Sequence, residues 1–439
     1  MYCVFFTFGC KVNTCETAGM TSLLESRGFT VGDDPTKADV LIWNACTVTA
    51  AGDEKVLTSI RRAKKRYPQA YLVLTGCYAQ AYPDAAAQIP EVDLCIGTQN
   101  RARLPDLLEA LVQGQAPKQA VEPYQGQEQF ENLSSVRAAG HTRGFLKIQD
   151  GCNQFCAYCV IPYARGRCRS LPLDEVQRQA QAMVADGRRE LVLCGINLGF
   201  YGIEWQRTLA DAVETVCAVD PNTRVRLSSL EPDRLDGETL TRLAACPNLC
   251  PQFHISVQSG CDATLKRMRR RYTTETYRTL CATLRRLFPA CALTTDWMVG
   301  FPGETEEAFQ ASCAFMEEMH FASIHVFTYS PRPGTAAAAF PDQVPEAEKT
   351  RRARVARSIA ETSKAAYLRA QIGKKVPVLF ERDRGDGFER GHALDGVQVR
   401  VQKNPEKDLR NHVFYVTIEE SDKTGCTGKL VKTEDSTPV

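Results

Sequence analysis

Between residues 143 and 371, short apolar runs and amphipathic helices take turns about six times. The runs 145–149, 190–194, 225–230, 253–258, 293–298 and 323–327 read as strands. The helix over 274–288 is the clearest of those between them, with Tyr277, Leu280, Cys281, Leu284, Leu287 and Phe288 on one face. A strand that feeds a helix and returns parallel to itself does so right-handedly. Six such units predict an open or partial barrel whose ligands gather at the C-terminal ends of the strands.

The flanks follow other rules. Over residues 1–113, strands at 2–8, 39–44, 71–75 and 94–97 alternate with helices at 13–27, 52–66 and 104–112, which predicts a parallel α/β sheet. Residues 114–142 lose all periodicity and are rich in Gln, Pro, Gly and Ser, so they read as a linker. From 372 to 439 short β-like runs at 376–381, 387–394, 397–401 and 412–419 are separated by Gly, Asp, Asn and Pro, predicting a small all-β barrel behind a basic helix at 349–364. The fold class expected is α/β with three domains and one linker. No apolar run approaches the roughly 20 residues that span a bilayer. The N-terminus reads as a first strand and not as an export signal, so a cytoplasmic protein is expected.

Against that background nineteen cysteines are an anomaly. A chain this long needs no disulfide staples, and its expected compartment would reduce them, which leaves metal ligation and ordinary burial. Cys152, Cys156 and Cys159 form a C-x-x-x-C-x-x-C pattern in DGCNQFCAYCVIPYARGR, directly after the first strand of the βα array. Closely spaced thiolates on one loop suit an iron–sulfur cluster, and three of them leave one iron open to a substrate or cofactor. Zinc is the rival metal, but structural zinc sites are closed by four ligands and no partner CxxC pair is present. Cys10, Cys46 and Cys77 follow three successive strands of the first sheet, so a parallel arrangement brings them to one edge. That convergence predicts a second metal cluster, where structural cysteines would scatter as Cys217, Cys281 and Cys313 do.

These motifs resemble a known family. The cysteine loop after the first strand of a six-unit array is similar to that of the radical S-adenosylmethionine (SAM) enzymes. Membership would imply a 4Fe–4S cluster on Cys152, Cys156 and Cys159, SAM on its open iron, and Tyr158 beside the SAM adenine. FGCKVNTCET, NACTVTAAGDEK and TGCYAQ resemble the N-terminal domain of the methylthiotransferases, which implies a flavodoxin-like sheet and an auxiliary 4Fe–4S cluster on Cys10, Cys46 and Cys77. LCGINLGFYG, RLSSLEP, ISVQSGCDATLKRMRRRYT, DWMVGFPGETEE and FTYSPRPGTAA resemble core segments of the same family, and the β tail resembles its RNA-binding TRAM domain. GCKVNTCET and CNQFCAYCVIPYARGR resemble the branch that acts on N6-threonylcarbamoyladenosine in tRNA. The alternatives are the same chemistry on isopentenyladenosine or on a ribosomal protein, and a non-catalytic iron–sulfur RNA-binding redox sensor. The resemblance further implies a tRNA anticodon stem-loop and an electron donor such as flavodoxin or ferredoxin as partners. A monomer is expected.

Other residues carry weaker signals. Gly195 and Asn197 follow the second array strand, where such enzymes bind the SAM amino group. Ser229, Glu231 and Gln258 end the next two strands and are expected at the catalytic rim, in contact with ribose or carboxylate or as simple helix caps. Gly300 and Gly303 flank Pro302 in a tight turn. Trp297 and Cys261 depart from the family pattern and would reshape the pocket. The basic runs 61–66, 266–271 and 351–357 read as solvated helix faces that together could track phosphates. Charge alone does not demand RNA: Lys and Arg total 54 against 52 Asp and Glu, and from Gly373 onward 12 basic residues balance 12 acidic ones. The six histidines are scattered and are expected to form no ligand set.

Overall fold

A computed structural model of the chain describes residues 1–133, 142–381, 385–404 and 407–431. Its N-terminal sheet has six parallel strands in the order Thr30–Gly32, Tyr2–Phe8, Val40–Ala45, Tyr71–Gly76, Leu94–Ile96, Gln119–Ala120. Val40–Ala45 is buried along its whole length, as a central parallel strand covered on both faces must be. Thr30–Gly32 and Gln119–Ala120 are the two strands the periodicity does not reveal. Both are edge strands, too short to show a period of two.

The stretch read as a linker is tied down over its first part. The Tyr124 hydroxyl meets Thr98 Oγ1 at 2.9 Å, and Arg101 Nε donates to Glu131 Oε2 at 2.7 Å. Of the expected linker, residues 134–141 lie outside the described residues, as do 432–439 of the expected C-terminal domain.

The array forms a half-barrel with its strands adjacent in chain order and all parallel: Arg143–Lys147, Glu190–Cys194, Arg224–Leu227 continuing through Ser229–Leu230, Gln252–Ile255, Ala292–Val299 and Ser323–Thr328. Alternation sorts each strand. Leu146, Leu191 and Leu193 pack outward into the core shared with the helices, while Phe145, Val192 and Cys194 face the concave side. There they bury Val12 and Cys15 of the helix Lys11–Ser26, which leaves the N-terminal sheet to pack on the half-barrel. That packing fixes the two α/β layers against each other.

The helix Glu346–Arg369 leads to a closed five-stranded barrel of Lys375–Phe380, Phe388–Ala393, Gln398–Gln402, Cys426–Leu430 and Val413–Ser421. The polar string CTGKL hides the fifth strand from any apolar pattern. This barrel sits across the starts of the half-barrel strands. Arg224 donates from Nη1 to the His392 carbonyl at 3.0 Å and from Nη2 to that of Pro377 at 3.1 Å. Arg226 Nη1 reaches the Leu394 carbonyl at 3.0 Å. Among the described residues no helix is long and apolar enough to cross a membrane.

Candidate active site

Cys152, Cys156 and Cys159 lie on a loop at the end of the first half-barrel strand. Gly151 has φ +71°, and a Cβ there would come within 1.9 Å of the Arg167 carbonyl, so only glycine lets the chain fold back at this point. Backbone bonds from Cys152 to Gly166 (3.1 Å), from Ala157 to Met268 (3.0 Å) and from Cys159 to Cys156 (3.0 Å) hold the loop in shape. Arg270 is buried beneath it, donating from Nη1 to Cys156 Sγ at 3.2 Å and from Nη2 to Glu231 and to the Ser256 carbonyl. Burial pushes the Cys152 thiol up to about 11 and raises Cys156 and Cys159 as well. Thiolates in such a place require a positive partner, and iron is one.

The second trio is built from three separate strands. Cys10 caps the helix Lys11–Ser26, Cys46 follows Val40–Ala45, and Cys77 opens the short helix Cys77–Ala81. All three stand at the C-terminal edge of the parallel sheet. Cys46 meets Cys77, and a Cβ on Gly9 would lie 2.6 Å from that of Cys46. The contact from Cys46, helped by Arg165, lowers the Cys77 thiol to about 6 despite its burial. Burial raises Cys10, with Arg165 opposing. Asn13 Oδ1 accepts from the Cys10 backbone and thiol at 3.2 and 3.3 Å, and Asn13 Nδ2 donates to Asn44 Oδ1 at 3.2 Å.

Arg165 joins the two trios. It sits in the helix Ile161–Arg165 that follows Cys159, and its Nε donates to Cys77 Sγ at 3.2 Å. The same guanidinium clamps Glu16 through two bonds of 2.6 and 2.9 Å and reaches Asp150 at 3.2 Å. Lys147 bridges Glu16 and Asp150 at 2.8 and 2.6 Å, and Arg101 pairs with Glu16 at 2.8 Å. Against a burial that would raise both carboxyls, these cations hold Glu16 and Asp150 well below the usual carboxylate range. Arg332, from the loop after Ser323–Thr328, adds a second tie by pairing with Asp53 and donating to Thr47 Oγ1 at 2.6 Å.

Two cavities open between these parts. The smaller, about 160 Å³, is walled by Tyr158, Cys159, Gln258, Asp296, Met298 and Tyr329 together with Val48 and Thr49 of the N-terminal layer. The larger, about 780 Å³, is the half-barrel lumen, running from Cys10 and Lys11 past Gly195, Ser229, His254 and Asp296 to the small barrel. Asp296 and Phe327 line both.

The candidate residues therefore divide. Tyr158 and Gln258 face the small cavity, and the Tyr158 ring meets Phe301 edge-on at 6.3 Å. Asn197 donates from Nδ2 towards Cys152 Sγ at 3.9 Å and from its backbone to Gln149 Oε1 at 2.8 Å. Its side-chain oxygen is buried with no partner among the described residues. Gly195 and Ser229 line the lumen, and Glu231 is held by Arg270, 39 residues away in the chain. Gly300 and Gly303 have φ +73° and +77°, the turn expected of them. Trp297 does not line either cavity. It points outward and stacks on Phe309 at 6.2 Å, because alternation along Ala292–Val299 sends Asp296 inward and its neighbour out. Cys261 precedes the helix Asp262–Arg267, outside both linings.

Three features escape the sequence reading. Arg270 lies in a run read as a solvated face, yet it is buried against the cysteine loop, and the solvated reading is corrected there. A buried arginine in a basic string carries no local signal. The expectation that the histidines form no set is also overturned. His254 Nε2 and His325 Nδ1 approach Asp296 at 3.2 and 3.4 Å, Ser256 donates to Asp296 at 2.9 Å, and the two imidazoles stack at 5.5 Å. These groups share the concave face of three neighbouring strands, so strand register was the available signal. Lys11 is the third, a lumen cation on the residue next to Cys10.

Residues 3–97 match an uncharacterised protein family, UPF0004, and residues 146–316 match the radical SAM superfamily. A threonylcarbamoyladenosine tRNA methylthiotransferase of Bacillus subtilis, MtaB, is 40% identical over 352 residues, covering 79% of this chain and 78% of that one. A tRNA-2-methylthio-N6-dimethylallyladenosine synthase of Jannaschia is 33% identical over 437 residues, 97% of this chain and 93% of that one. Among solved structures, the radical SAM methyltransferase TsrM of Kitasatospora setae superposes with a TM-score of 0.57 at 17% identity, covering 77% of this chain and 74% of that one, a likeness of fold.

Proposed function

The chain belongs to the radical SAM tRNA methylthiotransferases, and from that premise we propose that its substrate is N6-threonylcarbamoyladenosine beside the anticodon of tRNA, methylthiolated at carbon 2. The family is one of enzymes that transfer sulfur and methyl groups with SAM and 4Fe–4S clusters. The observation supporting the finer reading is the 40% identity to the threonylcarbamoyladenosine enzyme of Bacillus subtilis over 352 residues, although the two kinds of relative overlap at 34%.

The residues fit the cofactors. Cys152, Cys156 and Cys159 would hold the cluster that binds SAM, and Cys10, Cys46 and Cys77 the auxiliary one. The unpartnered Asn197 oxygen is an acceptor for an ammonium such as the SAM amino group, beside a Gly195 whose bare Cα permits close approach. When bound, the first cluster and SAM supply a radical able to take hydrogen from an unactivated C–H bond, and the auxiliary cluster supplies sulfur.

The protein's own part is placement. Tyr158 offers a ring to the small cavity, and Arg270 neutralises charge against Cys156 while fixing Glu231. Arg165 and Glu16 set the distance between the two cysteine trios. The lumen lies within the usual range for ligand cavities and adjoins the smaller cavity at Asp296 and Phe327, so a base turned out of a single-stranded loop would lie close to both cofactors there. A small ferredoxin or flavodoxin as electron donor, a monomeric state and a cytoplasmic location complete the proposal.

Nucleoside mass spectrometry of tRNA from a host lacking the modification, with and without this gene, tests it. A new 2-methylthio-N6-threonylcarbamoyladenosine peak supports the reading. The dimethylallyl counterpart in its place moves the substrate to the neighbouring branch, and neither peak in a host shown to load the clusters sinks both.

A further inference from the structure

The charged side chains that line the lumen are Lys11, His254, Asp296, His325, Lys364 and Asp395. Five of them have partners. Asp296 is shared by the two histidines and Ser256. Asp395 accepts from the Tyr367 hydroxyl at 2.8 Å and from the Val397 backbone at 3.1 Å. Lys364 donates to the Lys423 carbonyl at 2.9 Å. Lys11 alone has no hydrogen bond or ion pair among the described residues.

Its surroundings add to the imbalance. Its charged neighbours include Arg226, Arg143 and Glu190. Glu190 is already engaged by Arg226 through bonds of 2.8 and 2.9 Å, and Arg143 by Glu381 at 3.0 Å. Arg224 at the same end bonds only backbone carbonyls, so cations outnumber carboxylates around this wall. Lys11 is solvent-accessible within the lumen and has no counter-charge bonded to it among the described residues, so its ammonium is available to an anionic group that enters.

We propose that Lys11 is a carboxylate subsite of the lumen and that its ligand is the threonyl carboxylate of the target nucleoside. This rests on the threonylcarbamoyl reading above and deepens it, because a dimethylallyl group carries no charge for Lys11 to hold. The position suits the task. Lys11 is the first residue of a rigid helix whose cap is Cys10. An ammonium bound to the carboxylate therefore holds the modified base in register with the sulfur-bearing trio. Its dissected role is binding and specificity.

The test uses holoenzyme with both clusters loaded and three anticodon stem-loops: threonylcarbamoyladenosine, its methyl ester, and dimethylallyladenosine. Methylthio product is followed by mass spectrometry to give KM and kcat separately. Loss of a charge-assisted contact to a carboxylate predicts that Lys11→Ala raises KM for the acid about 10- to 100-fold. On the ester, Lys11→Ala and the natural enzyme converge, and Lys11→Arg restores the preference for acid over ester. Esterification alone weakens the natural enzyme by a similar factor, which tests the subsite even if the alanine variant fails to fold. If the acid-to-ester ratio is the same with and without Lys11, or if the natural enzyme does not distinguish acid from ester, the subsite is wrong while the threonylcarbamoyl reading stands. If the natural enzyme turns over only the dimethylallyl stem-loop, that reading falls and the subsite with it.

Discussion

The two cysteine trios reach similar ends by opposite routes. Cys152, Cys156 and Cys159 lie within eight residues of one another on a loop shaped by Gly151 and by backbone bonds. Cys10, Cys46 and Cys77 span 68 residues and meet only because three parallel strands end at one edge. The first site is local in sequence, braced from a later part of the chain by the Met268 carbonyl and Arg270. The second exists only when the whole sheet is formed. Their polar environments differ in the same sense: Arg270 with one carboxylate under the loop, against a buried lattice of Glu16, Asp150, Arg101, Lys147 and Arg165 beside Cys77.

The largest effects break the comparison outright. Replacing Cys152, Cys156 and Cys159 by Ala is expected to abolish 5′-deoxyadenosine formation and remove about half the bound iron. Replacing Cys10, Cys46 and Cys77 removes a similar share of iron but leaves 5′-deoxyadenosine forming, with no methylthio product. Iron analysis and anaerobic product assays read both. An unchanged iron content in either triple variant refutes that assignment.

The next effect sharpens the contrast between the polar settings. Arg165→Met removes the two-bond partner of Glu16 and a contact to Asp150 while Arg101 and Lys147 remain, and is expected to cost about 3 kcal/mol of stability. Arg270→Met leaves Glu231 alone and costs less, since burial already raises that carboxyl and it can take up a proton. Denaturant unfolding of the cluster-free chain ranks the two, and an equal cost would dissolve the distinction.

Acid separates the same settings with opposite signs. Glu16 has a folded pKa below its ordinary 4.5, so its stabilisation is complete above that pH and is lost as pH falls further. Glu231 has a folded pKa above 4.5, so the native state gains protons before the unfolded one and gains stability as pH drops towards 4.5. From pH 7 to 5 the natural chain should gain stability relative to Glu231→Gln. Below about pH 4.5 it should lose stability relative to Glu16→Gln. Matched unfolding curves at each pH check both signs.

How much could be read beforehand follows the same line between local and assembled features. The half-barrel strands, the loop trio and the edge trio are legible because each leaves a trace in spacing or in position after a strand. Arg165, Arg270 and the His254–Asp296–His325 group are not, because the glutamates that pair with the two arginines lie 149 and 39 residues away in the chain and the histidine group joins neighbouring strands at a matched register. A lone Arg in RMRRRY looks like solvent-facing charge until the fold closes over it. The outward turn of Trp297 is a smaller case of the same thing: one residue along a strand decides between lumen and core.

The smallest expected effect bounds the loop trio itself. Cys168 is buried beside Cys152 and Phe200, and its backbone N–H donates to Asn153 Oδ1 at 3.2 Å. It is the nearest rival for a fourth ligand, and a four-cysteine site would be closed to SAM. Its thiol is instead turned to the Gly151 carbonyl at 3.9 Å, and burial pushes it up to about 12. The thiol's contact with the Gly151 carbonyl describes a small buried filler. Cys168→Ala is therefore expected to leave bound iron at the natural level, preserve 5′-deoxyadenosine formation, and cost about 1 kcal/mol in packing. A fall in iron with loss of the SAM cleavage product would make the loop site one of four cysteines and reopen the choice between a catalytic cluster and a closed, structural one.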